Sequence, residues 1–197
     1  TPFGVRPGLV LVVVPTVTLA LDHERSWGSS DSNPLAYVGG REDANARIRE
    51  ALENGTQKVI FAAPEAVVRS LRRPLDTVVR AGRLGAVVID EAHLIDGWGT
   101  GFRTEFQTLA GALNAWRAHA SADMQFRTLF LSATLDKGSI ETISDLFSPQ
   151  ASVPVVSGAA IRPEPEYWVG EPTHVANRVA RVEEALWHLP RPLILYV

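Results

Sequence analysis

The sequence predicts an α/β fold: a mostly parallel sheet with helices on both faces. Two observations carry this. Four short runs, Leu9 to Val14, Val59 to Ala62, Ala86 to Ile89 and Thr128 to Leu131, are apolar along their length instead of alternating. That is the pattern of strands buried on both faces of a parallel sheet. Between the runs lie segments of helical character, and strands alternating with helices build a doubly wound sheet.

Each element has a local reason. Pro15-Thr16 starts a helix that runs to about Trp27. Arg41 to Glu53 is a second, closed by Asn54-Gly55, because glycine accepts the left-handed backbone that ends a helix. Pro64 and Glu65 open a third, with proline at a helical start where its missing N–H costs nothing. Arg103 to His119 is long, with Phe106, Leu109, Leu113 and Trp116 at helical spacing. Leu135 to Phe147 is amphipathic as well. From Ser148 to Pro172 the texture changes, and five of the 13 prolines fall there. This reads as an extended connector. Thr173 to His188 is expected to be helical, and Arg191 to Val197 a further buried strand. The expected organisation is a first domain over 1–150, a connector over 151–172 and the start of a second domain over 173–197.

Composition narrows the function. The chain has 197 residues, 46% hydrophobic and 21% charged, an ordinary globular balance. It has no cysteine, which excludes a disulfide scaffold, a cysteine nucleophile and a thiolate zinc site. No apolar run approaches the length of a membrane span, and no signal peptide is evident. The expectation is a cytoplasmic protein with no membrane contact. With a net charge of -3, any nucleic-acid contact must use a local patch. Residue 1 is Thr, and the C-terminal apolar stretch reads as a strand needing partners. The expectation is a fragment of a longer protein.

The strongest chemical signal is Ala86-Val87-Val88-Ile89-Asp90-Glu91-Ala92-His93. An apolar strand delivers two adjacent carboxylates at its C-terminal end, where open parallel sheets bind ligands. One carboxylate can hold hydrated Mg²⁺ beside nucleotide phosphates, and the next can orient the attacking water. The alternative is a plain helix N-terminus, where acids meet the helix dipole favourably.

The surrounding residues extend this motif. Residues 90–109 read DEAHLIDGWGTGFRTEFQTL. Asp90-Glu91-Ala92-His93 resembles the DEAH form of the Walker B motif of superfamily-two helicases. The continuation, with Ile95, Trp98, Gly99, Phe102, Arg103 and Glu105, resembles the aromatic-rich loop of the RecQ family. That resemblance implies a RecA-like domain of the P-loop NTPase type, followed by the connector and first strand of a second one. It also implies a loop that senses single-stranded DNA and couples it to ATP hydrolysis. Trp98 and Phe102 offer stacking faces and Arg103 a phosphate or base contact. The alternative is that the two aromatics cap the core.

Further stretches fall in the family's order. Leu131-Ser132-Ala133-Thr134-Leu135 resembles motif III. Small hydroxyls there can hydrogen-bond the DEAH carboxylate and histidine, so His93, Ser132 and Thr134 are expected to couple ATP state to DNA. Val13-Val14-Pro15-Thr16 to Asp22 resembles motif Ia. Phe61-Ala62-Ala63-Pro64-Glu65 resembles motif Ib, with Ala63 where relatives often have serine. Thr16, Pro64 and Glu65 are thereby expected at the DNA backbone, since helix N-termini bind phosphate. Two ordinary turns remain the alternative. Arg69, Arg72, Arg73, Arg80 and Arg83 form either a basic stripe or, more simply, a solvated helix face. The five histidines show no metal-ligand spacing; His23, His119, His174 and His188 read as surface or packing residues. Ile161 to Trp168 resembles the interdomain connector of RecQ enzymes. Val14-Pro15-Thr16 and the connector's Arg162-Pro163-Glu164-Pro165 narrow the resemblance to DpdF-like helicase proteins linked to 7-deazaguanine DNA modification.

One part of the motor is missing. A phosphate-gripping G-x-x-x-x-G-K-[ST] loop is absent, and the only two lysines, Lys58 and Lys137, follow no glycine-rich loop. The family places that loop before motif Ia. The expected function is therefore part of an ATP-dependent DNA helicase or translocase, with ATP and Mg²⁺ as cofactors and Asp90 and Glu91 as the metal-handling pair. The expected partner is single-stranded or junction-containing DNA, with DNA-processing or DNA-modification proteins alongside. Alone, the chain is expected to be inactive. Two other classes stay open: a catalytically inactive helicase-fold scaffold, and a metal-dependent nuclease, which would need more converging carboxylates.

Overall fold

The computed structural model describes residues 7–27, 33–97, 100–148, 153–158 and 174–193. The side chains of residues 96–97, 100–103 and 175–176 lie outside that description. Five strands, β1 (Leu9–Val13), β2 (Leu35–Tyr37), β3 (Val59–Ala62), β4 (Leu84–Ile89) and β5 (Arg127–Phe130), form one sheet in the order β2-β3-β1-β4-β5. Every neighbouring pair is parallel. The helices are α1 (Val17–Trp27), α2 (Glu42–Asn54), α3 (Pro64–Val68), α4 (Arg72–Arg80), α5 (Leu94–Gly97), α6 (Thr100–His119), α7 (Lys137–Phe147) and α8 (Val175–His188). The expected α/β, mostly parallel architecture is present.

Alternation along the strands sorts the core into two layers. Leu9, Leu11 and Val13 of β1 pack with Ile60, Ala62, Val87 and Ile89 into the larger cluster, which takes in side chains of α2, α3, α4, α6 and α7. Val10 and Val12 turn to the other face, where Val59, Phe61 and Ala36 meet Ala20, Leu19 and Leu21 of α1. Helices therefore cover both faces, with α1 alone against that second cluster among the described residues.

Several boundaries differ from the sequence expectation, each for a local reason. β2 is a strand of three residues, too short to show as an apolar run. α7 starts at Lys137, because the Asp136 side chain accepts the Ser139 N–H at 2.7 Å and caps the helix there. α6 starts at Thr100 instead of Arg103. The helix opened by Pro64 stops at Val68, where Arg69 leaves helical geometry, and restarts at Arg72. β5 is less buried than its apolar composition predicts; its one strand neighbour among the described residues is β4, and Leu131 just beyond it is 50% exposed.

The register sets the site. Val13 stands opposite both Ala62 and Ile89, and Ile89 opposite Phe130. Beyond the strands the alignment continues: Val14 N–H bonds Ala62 O, Asp90 N–H bonds Val13 O at 2.9 Å, and Leu131 N–H bonds Ile89 O at 2.9 Å. The carboxyl ends of β1, β3, β4 and β5 thus form one edge.

The chain divides into two compact units, Thr1–Val156 and Ser157–Val197. The second contains α8, whose Arg181 and Glu184 pair across one turn at 2.9 Å. The stretch similar to the RecQ connector, and residues 194–197 of the last expected strand, lie outside the described residues.

Candidate active site at the carboxyl edge of the sheet

Asp90 and Glu91 leave the end of β4 in a tight turn. Asp90 Oδ1 accepts the Glu91 N–H at 2.9 Å. Glu91 itself has φ 50°, the left-handed region that a residue with a side chain seldom occupies. The turn is held from the neighbouring strand by the Ala92 N–H, which bonds Leu131 O at 2.9 Å. The consequence is an exit from the strand sharp enough to leave both carboxylates at the sheet edge.

β5 delivers the hydroxyls beside them. His93 Nδ1 lies 3.0 Å from Ser132 Oγ and 3.3 Å from Glu91 Oε2. A carboxylate only accepts, so its approach favours the tautomer with the proton on Nδ1. Ser132 Oγ also accepts the Thr134 N–H at 3.2 Å. A continuous polar path therefore runs from Thr134 through Ser132 and His93 to Glu91. The motif III expectation linked Ser132 and Thr134 to His93 and a carboxylate. In the structure Ser132 touches the histidine, and Thr134 takes part through its backbone N–H.

The turns after β1 and β3 share this edge. Thr16 Oγ1 accepts the Leu19 N–H at 3.2 Å and caps α1. Pro64 is buried, so it opens α3 without presenting surface of its own. α3 has five residues, and the Ala66 and Val67 N–H groups are both taken by Ala63 O. Those two N–H groups are thus engaged within the turn, and Glu65, half-buried in the first turn, lies beside them. Trp98 and Gly99 lie outside the described residues, as do the side chains of Phe102 and Arg103. Glu105, at the end of the same stretch, reaches Arg69 at 2.9 Å and ties α6 to the end of α3.

The arginine group is mostly committed to packing. Arg72 pairs with Asp76 at 3.1 Å and lies over the Trp116 ring. Arg83 donates to Glu53 O at 2.9 Å. Arg73 and Arg80 are exposed. A solvated face with packed members describes the cluster better than a continuous basic track.

His23 was expected at the surface or in packing, and the structure gives it another neighbour. Its Nε2 lies 3.4 Å from Asp90 Oδ2, across 67 positions of sequence. Its i,i+4 spacing with Trp27 was visible in the sequence, but not what the shared face would meet.

Two hard oxygen donors at a strand end suit Mg²⁺, which keeps most of its waters and takes one or two carboxylates. Among the described residues neither Asp90 nor Glu91 has a lysine or arginine partner, so their charge is left for a cation. The donor set fits such an ion at Asp90, with Glu91 beside it. Among the described residues, no group of three or more His, Cys, Asp or Glu gathers into an all-protein metal cage, at this edge or elsewhere, so an ion here would keep most of its waters.

The profile of the DEAD/DEAH box helicase family matches residues 5–143. The chain belongs to the DEAD/DEAH box helicases. Within that family it is similar to RecQ-like enzymes. It is 32% identical over 115 residues to ATP-dependent DNA helicase Q-like 2 of Arabidopsis thaliana, covering 55% of this chain and 16% of the relative. It is 28% identical over 158 residues to putative ATP-dependent DNA helicase Q1 of Caenorhabditis elegans, covering 77% of this chain and 24% of the relative. RecQ-like DNA helicase BLM of Xenopus laevis is 27% identical over 113 residues, 55% of this chain and 8% of the relative. This helicase chain thus spans about a quarter or less of the length of these relatives.

Solved structures show the same fold. Mss116p bound to ssRNA and AMP-PNP superposes with TM-score 0.54 at 22% identity, over 71% of this chain and 28% of that one. The DUF1998 helicase MrfA bound to DNA gives TM-score 0.54 at 15% identity, over 71% and 20%. The sheet of this helicase domain is therefore RecA-like, as the DEAH resemblance implied.

Proposed function

We propose that this chain forms the DEAH-bearing part of an ATP-dependent DNA helicase or translocase. The observation that carries the reading is the convergence of Asp90, Glu91, His93 and Ser132 at one strand edge, beside the Thr16 and Glu65 turns. Asp90 would hold the Mg²⁺, and that ion would supply charge compensation at the nucleotide's phosphates. Glu91 orients the attacking water and accepts its proton. His93 keeps the Glu91 carboxylate turned toward the Ser132 side of the edge, so a shift of β5 relative to β4 reaches the carboxylate through one hydrogen-bonded path. Thr16, Glu65, Trp98, Phe102 and Arg103 make up the DNA-facing side, with stacking from the aromatics and a phosphate contact from arginine. The RecQ-like relatives, whose names state ATP-dependent DNA helicase activity, support DNA as the polymer.

The test is Glu91→Gln in the full-length protein that carries this chain. The change keeps shape and removes the base. ATP turnover is expected to fall by at least about a hundredfold, the scale of general-base catalysis, while ATP binding is unchanged. Turnover that survives the substitution removes Glu91 from catalysis. Absence of ATP binding in the full-length protein would instead favour the scaffold reading.

A further inference from the structure

His23 and Asp90 lie on different elements, and three independent contacts bring them together. The His23 ring stacks on Phe61, with centroids 5.2 Å apart and planes 19° from parallel. Trp27, one turn later on α1, meets the same Phe61 edge-on at 6.0 Å. Phe61 is 2% exposed and sits in β3, so it is a fixed platform. On this platform His23 Nε2 stands 3.4 Å from Asp90 Oδ2. The other oxygen, Oδ1, is taken by the Glu91 N–H. Both oxygens of Asp90 are therefore addressed by the protein, one by backbone and one by the imidazole.

We propose that His23 is a positioning residue for Asp90, setting the carboxylate's rotation for the cation it holds. The proposal rests on the reading of Asp90 as the Mg²⁺ carboxylate. The contact is at the long end of hydrogen bonding. It biases orientation without occupying the oxygen, whose second lone pair stays open to a hydrated ion. Outer partners of metal-binding side chains act in this way.

The test uses the full-length protein and Mn²⁺ as the probe, titrated with a non-hydrolysable ATP analogue and followed by electron paramagnetic resonance. His23→Ala is expected to weaken Mn²⁺ binding about tenfold. It should also raise the Mg²⁺ concentration for half-maximal turnover by a similar factor, with the KM for ATP little changed. His23→Gln, which can still donate to Oδ2, should recover most of both. Asp90→Asn is the reference for the underlying reading. If Asp90→Asn weakens Mn²⁺ binding and His23→Ala does not, the positioning role is overturned while Asp90 keeps its own. If His23→Gln loses as much as His23→Ala, the hydrogen bond is not the agent and the proposal fails. A lowered melting temperature with native Mn²⁺ affinity assigns His23 to packing, which also overturns it. If Asp90→Asn leaves Mn²⁺ binding unchanged, both readings fall together.

Discussion

At the scale of single residues, Glu91 shows how much local cost the site tolerates. A side-chain-bearing residue at φ 50° carries strain of about 1–3 kcal/mol. Three hydrogen bonds around it, from Glu91, Ala92 and Asp90 N–H groups, hold the turn against that cost. The identity of the acids was readable from one strand and two letters. Their arrangement was not, because φ at Glu91 is set by Leu131 and Val13 on neighbouring strands. His23 makes the same point: nothing local marks it, since its partner is 67 positions away. Asp136 is the opposite case, a residue whose role is purely local. Its carboxylate accepts the Ser139 N–H, and this hydrogen bond holds its pKa below the ordinary value. A depressed carboxylate stabilises the fold above its unfolded pKa, and the contribution disappears as pH falls through the folded one. Asp136→Ala is therefore expected to lower the melting temperature at pH 7. The difference from the native chain should shrink on acidification below about pH 4. Asp136→Asn, still a good cap, should lose less at pH 7 and flatten the acid dependence. Thermal melts across pH 3 to 7 check both; a deficit unchanged at pH 3 rules out the cap's charge as the cause.

At the scale of elements, ends matter more than middles. The Asn54-Gly55 stop read from the sequence is where α2 ends. Gly55 has φ 72°, and its N–H closes on Leu52 O, the usual left-handed termination. The sequence could not show that Arg83 packs into the space a side chain would take. A Cβ at Gly55 would lie 2.2 Å from Arg83 Nη1, and Arg83 Nη2 bonds Glu53 O. Gly55→Ala thus adds backbone strain and displaces the guanidinium. The expected loss is about 1–2 kcal/mol, seen as a lower urea midpoint with an unchanged m-value. A midpoint equal to the native one would mean that Arg83 moves aside freely. Elements missed by sequence reasoning were short or interrupted. β2 spans three residues, and the break between α3 and α4 comes just ahead of Pro74, which is accommodated in the first turn of α4 and could not have continued α3. Periodicity needs length to be seen, and these pieces have too little of it.

At the scale of the whole molecule, the parallel sheet is what makes a site out of scattered turns. Each crossover returns the chain in the same direction, so every strand ends at the same edge. Four segments that resemble helicase motifs lie after four strands, and the common register brings their ends together. The motor reading also has a limit written in the composition. The sequence contains no glycine-rich loop followed by lysine. With nothing to grip the β- and γ-phosphates, the chain expressed by itself is expected to show no DNA-stimulated ATP hydrolysis. A phosphate-release assay with and without single-stranded DNA checks this. DNA-dependent turnover by a pure preparation would mean that the phosphates are held by residues other than that loop.

Read alone, the sequence determined the class of fold, the order of the strands and helices with strong periodicity, and the paired acids at a strand end. These are local or periodic properties, encoded in runs of neighbouring residues. Only the tertiary structure decided the arrangement of the strands within the sheet, the left-handed turn at Glu91, the His93–Ser132 contact and the approach of His23 to Asp90. Each depends on where distant strands align, and alignment is settled by burial of both sheet faces at once, which no single segment specifies.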